Sequence, residues 1–168
     1  LPDAIWAVWI QTAAISVSAG AAFWLVHESR KIARKKSTVE LIMRMRLDKE
    51  YLETRDAFKA LREKHTSLAE YAKPAHKEAE ERKTILDALN NHEYIACGIA
   101  EGALDEEIYK RMLGSVVIKD WESAETFVTD LRNDIKIKDP VTARKLFIEF
   151  QSMAEHWRDQ RAAEKSKL

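Results

Sequence analysis

The feature that most restricts this chain is an uncharged run of 23 residues, positions 4–26. As a helix rising about 1.5 Å per residue it spans roughly 35 Å, enough for a hydrocarbon core of about 30 Å. Trp6 and Trp9 stand near one end and Trp24 near the other, the placement of an aromatic belt. Arg30, Lys31, Arg34, Lys35 and Lys36 follow at once, and no Lys or Arg precedes the run. The pattern predicts a single-pass transmembrane helix with the N-terminus outside and the rest of the chain cytoplasmic. A secretory signal would carry its basic residues before the apolar run, and a buried core helix would be shorter. Gln11, Thr12, Ser16 and Ser18 make the span only moderately apolar.

Composition sets the class of the remainder. The 168 residues hold four Gly and three Pro, little turn chemistry for a sheet. Lys+Arg and Asp+Glu are 28 each, so no global charge attracts nucleic acid. The one cysteine, Cys97, has no internal partner, which fits a reducing compartment. The fold expected is all-α: the anchor (1–29), a basic juxtamembrane and long-helix segment (30–74), and a helical bundle (75–168) packing with it.

No helix breaker follows the span, so the helix is expected to continue toward Tyr71. Tyr51, Thr54, Phe58, Leu61, His65 and Leu68 step by three and four, a heptad seam. It reads either as the face of an ordinary amphipathic helix or as a self-associating stalk through Tyr51, Phe58, Leu61 and Leu68. Pro74 breaks the chain, and the charged stretch 76–83 reads as a loop or solvated helix start. A helix then shows Ile85, Leu89, His92, Ala96 and Ile99 on one stripe, stopped by Gly102. Asp105 caps a third helix bearing Ile108, Met112 and Val116, weakened by Gly114. A fourth carries Trp121, Ala124, Val128, Leu131 and Ile135. Asp139 and Pro140 start the last, with Leu146, Phe147, Phe150, Met153 and Trp157, before a polar tail, 158–168.

Catalytic signatures are missing, and no cofactor is expected. His92, Glu93 and Cys97 are too few for a zinc site, and His-Glu-x-x-His is absent. They read as a hydrogen-bonded core histidine beside a buried thiol. Asp105, Glu106 and Glu107 suit a helix N-terminus. Asp48, Glu50 and Glu53 among Arg44, Arg46, Lys49 and Arg55 read as a salt-bridged surface. The basic cluster beside the span suits anionic lipid rather than nucleic acid. Inside the span, Thr12, Ser16 and Gly20 form one small-residue ladder, and Ala14, Ser18 and Ala22 another. Such stripes let helix backbones approach in a membrane, so self-association or a membrane partner is expected.

Two stretches carry a family resemblance. One is Arg34, Lys35, Lys36, Ser37, Thr38, Val39, Glu40, Leu41 and Ile42 with Arg46, Leu47, Asp48, Lys49 and Glu50. The other runs from Leu89, Asn90, Asn91 and His92 through Cys97 and Gly98 to Gly102, with Asp105, Glu106 and Trp121 behind it. Over roughly residues 10–132 the chain resembles small bacterial and prophage membrane-anchored proteins known only as a domain of unknown function. The tail from Pro140 adds nothing to that likeness. The resemblance implies an anchor, a helical cytoplasmic domain at the bacterial inner membrane and no assigned activity.

The sequence therefore points to a membrane-tethered interaction or assembly protein, not an enzyme, with the bilayer and a second copy or another membrane protein as partners. By analogy alone, the implied setting suggests phage defence or superinfection exclusion. The alternative is an oligomeric effector whose spans form a pore or disturb the bilayer.

Overall fold

The computed structural model describes residues 2–65, 67–136 and 139–166, all-α with no strand among them. Leu1 of the anchor and Lys167 and Leu168 of the tail lie outside the described residues. The elements are α1 (Pro2–Leu47), α2 (Lys49–Lys64), two short 3-10 turns (Ala69–Ala72, Pro74–His76), α3 (Glu80–Ala100), α4 (Glu106–Lys136), α5 (Pro140–Lys145) and α6 (Ile148–Lys165).

Helix α1 continues from the apolar run into the helical domain, as expected, but it stops at Leu47 rather than near Tyr71. Asp48 is the joint. It adopts an extended conformation, and its carboxylate accepts a 3.0 Å hydrogen bond from the Tyr51 N–H. That cap satisfies a donor a new helix would otherwise leave open. The acidic residue read as part of a salt-bridged surface is thus a helix start. Lys49–Glu53 at 3.5 Å and Arg55–Asp56 at 2.8 Å are the ion pairs formed nearby.

The seam on α2 turns inward. Phe58 and Leu68 are buried in the core, and Tyr51 and Leu61 pack against its edge. This corrects the stalk expectation, because an apolar face already covered by its own domain leaves no coiled-coil seam. His65 and Leu68 also lie beyond the end of α2. Three carbonyls of the following turns, Tyr71, Ala72 and Lys73, accept from the Arg82 guanidinium at 3.0, 2.7 and 3.3 Å.

Helix α3 buries Ile85, Leu89, His92 and Ala96 as their spacing predicts, and Gly102 leaves it at φ 69°. That left-handed conformation favours a residue without Cβ. Gly98 has a different role. A Cβ there would stand 2.9 Å from Leu104 Cδ1, so any larger residue would make the Leu104 side chain at the α3–α4 turn give way.

The expected third and fourth helices are one, α4, of 31 residues. Gly114 lies within it, where the Trp157 ring crosses 3.7 Å from the site of an added Cβ. The buried stripe is Tyr109, Val117, Trp121, Ala124 and Val128, whereas Met112 and Val116 are exposed. The stripe assigned to Met112 and Val116 was thus one residue out of register.

The last helix is instead two. Asp139 caps α5, accepting from the Val141 and Thr142 N–H groups at 3.1 and 3.2 Å. The break falls at Leu146 and Phe147. The Leu146 carbonyl accepts from Arg132 at 2.7 and 3.0 Å, and Phe147 sits at φ 55° with its ring buried. Trp121, Trp157, Tyr109, Phe127 and Phe150 close the core.

Candidate membrane anchor and the polar contacts that orient it

The described side chains of the N-terminal part of α1 are exposed. Trp9, Ile10, Ile15, Val17, Phe23, Trp24, Leu25 and Val26 are all more than half exposed, as is Trp6. Among the described residues this is the one helix long and apolar enough to cross a membrane, over Trp9–Leu47. From Trp6 to Trp24 the rise is roughly 27 Å, close to a hydrocarbon core of about 30 Å. Within the span the Ser16 hydroxyl donates to the Thr12 carbonyl at 2.9 Å, so its polarity is met inside its own helix.

The basic residues form a collar. At about 100° per residue, Arg30, Lys31, Arg34, Lys35 and Lys36 surround the helix instead of lining one side. All are exposed except Arg34, which is half-buried. Lys36 pairs with Glu40 at 3.7 Å. Arg34 Nε lies 3.7 Å from Asp105 Oδ2, at the turn between α3 and α4.

One turn further, Thr38 is fully buried. Its hydroxyl donates to the Arg34 carbonyl at 2.9 Å and accepts from the Asp105 N–H at 2.7 Å. Asp105 Oδ1 accepts from the Ile108 N–H at 3.1 Å, the expected cap of α4. A single carboxylate therefore starts α4 and ties it to α1. Glu106 accepts from Trp157 Nε1 at 2.8 Å, and Glu107 pairs with Arg111 at 2.7 Å, so these acids serve structure.

The fixed entry of α1 assigns sides to the two small-residue ladders. Thr38, Leu41, Ile42 and Met45 face the domain. Carried back along the helix, the Thr12, Ser16 and Gly20 ladder is centred roughly 30° from that face, with Thr12 furthest off at about 70°, and the Ala14, Ser18 and Ala22 ladder is centred almost opposite.

His92, Glu93 and Cys97 do not converge. His92 stacks on Phe150 at 4.5 Å, with Nε2 3.0 Å from Asp120 Oδ2. Arg62 pairs with the other oxygen of Asp120. This buried Arg62–Asp120–His92 contact joins α2, α3 and α4, and the sequence reading missed Arg62 and Asp120. Their positions carried a signal, since Arg62 lies four residues after Phe58 and Asp120 three after Val117, both on core-facing stripes.

Glu93 turns toward α6 and accepts from the Phe150 and Glu149 N–H groups at 2.7 and 3.3 Å. It caps a helix that lacks a cap of its own. Cys97 is exposed, not the buried thiol expected, and lines a cleft of about 470 Å³ with Leu41, Arg44, Tyr94 and Leu104. Partial desolvation, then the charges of Glu93 and Glu149, push its thiol up, away from the reactive thiolate. No metal-binding cluster occurs among the described residues.

Against known families, residues 12–157 match the domain of unknown function DUF4760. The chain belongs to this family. The DUF4760 match begins inside the apolar run and ends at Trp157, beyond the limit near Arg132 that the sequence suggested. The matched region takes in most of α6, which gives Phe150, Met153, Ala154 and Trp157 to the core. No curated protein and no solved structure matches the chain.

Proposed function

We propose that this protein is a single-pass membrane-tethered interaction module, its helical domain held at the cytoplasmic face of a bacterial inner membrane. The observation that carries the reading is the contrast along α1, where an apolar stretch whose described side chains are exposed leads without interruption into a packed core. So much contiguous apolar surface in water would be costly, and lipid is the medium that removes the cost. The collar supports the orientation, because basic residues beside a span favour the cytoplasmic, anionic leaflet by about 1 kcal/mol each. The Ser16–Thr12 hydrogen bond favours a tether over a pore, since that hydroxyl needs no water to satisfy it.

The test is expression of the full chain in a bacterium with a C-terminal reporter active only in the periplasm. A carbonate-resistant membrane protein with a silent reporter is expected. Strong periplasmic signal would refute the orientation, and extraction by carbonate would refute the anchor.

A further inference from the structure

Outside the span, α1 still carries an apolar stripe that the domain does not cover. Ile32, Val39 and Met43 are 60%, 44% and 56% exposed. At about 1.5 Å per residue, Val39 and Met43 lie roughly 20 and 25 Å beyond Val26, out of reach of the hydrocarbon. With Leu25 they follow steps of seven, seven and four; the intervening seam positions hold Ser29 and Lys36, polar interruptions of the kind that fix register in a helix pair at a cost in stability. The stripe lies roughly 140° around α1 from the domain-facing residues Thr38, Leu41, Ile42 and Met45. Ser18 and Ala22 extend the same side into the span.

We propose that two copies of this chain pair in parallel through this outward face of α1. The inference rests on the membrane reading above, which gives both copies one orientation and one depth and so sets their helices in register. Two things on the helix select a second copy. First, each domain hangs on the far side of its own α1, so the two seams meet with the domains outside. Pairing through Thr12, Ser16 and Gly20 would instead drive each domain into the other. Second, the flanks are complementary. Lys35 and Glu40 lie on opposite borders of the stripe, five residues apart. In a parallel, in-register pair that spacing sets Lys35 of each copy beside Glu40 of the other. Glu40 then lies between its own Lys36, which it meets at 3.7 Å, and the partner's Lys35.

The experiment is cross-linking of the full chain in native membranes, in a Cys97→Ser background, with single cysteines placed around α1. Val39→Cys and Met43→Cys are expected to give a product of twice the chain mass, and Arg44→Cys, on another side, much less. Lys35→Glu should lower the yield at Val39→Cys several-fold, and Lys35→Glu with Glu40→Lys should restore it. Carbonate extraction of the same samples separates the two readings. Protein lost from the membrane would overturn the anchor and the pairing together. Protein retained with no cross-link, with equal cross-linking on every side, or with a product of another mass would overturn the pairing alone.

Discussion

Helix α1 gives similar residues opposite surroundings. Ile15 is 60% exposed and Ile42 is 2% exposed, on one uninterrupted helix. Before Arg34 no described residue of α1 is buried. After it, Thr38, Leu41, Ile42 and Met45 are part of the core or packed against it. The contrast teaches that hydrophobicity alone does not say which medium covers a helix. Neighbouring contacts decide it, and they change within two turns.

Paired substitutions test this division. Ile42→Ala is expected to destabilise the domain most, by about 2–5 kcal/mol, the usual cost of emptying a packed aliphatic site. Ile15→Ala should leave domain unfolding unchanged. Thermal melts of the full chain in detergent, followed by the near-ultraviolet signal of buried Trp121 and Trp157, compare the two. Equal shifts would erase the distinction. Thr38→Val comes next. It keeps the shape but strands the Asp105 N–H, at a cost of about 1–3 kcal/mol in the same melt. An unchanged melt would mean that the link between α1 and α4 adds no stability. Arg34→Gln should matter least, below about 1 kcal/mol, because its ion pair is long and the Arg34 side chain is 41% exposed. A larger loss would move the start of the packed half of α1 toward the N-terminal apolar run.

Much of this was legible in the sequence. The apolar run, the collar, the α3 stripe with Gly102, and the Asp105 and Asp139 caps all follow from local spacing. The misreadings depended on distant partners. The break at Phe147 requires Glu93, 54 positions earlier, to cap α6, and Arg132 to hold the Leu146 carbonyl. Gly114 weakens a helix by local propensity, yet α4 runs through it because the packing of its buried face on distant elements outweighs one glycine. Cys97 shows the reverse error. Helical periodicity places it roughly 120° from the α3 stripe, a local signal that outweighs the usual burial of free thiols.

The lack of a flexible joint between the span and Thr38 has a geometric consequence. A Gly/Ser tether of the same dozen residues would let the domain wander by roughly 20 Å in any direction. A helix instead gives it a compass bearing and an altitude. Each inserted residue turns that bearing by about 100° and raises the domain about 1.5 Å. Length between Val26 and Thr38 is therefore quantised, independently of what the side chains of that stretch do. Changes of seven or eleven residues, near whole numbers of turns, preserve the bearing, and a change of two points the domain the other way.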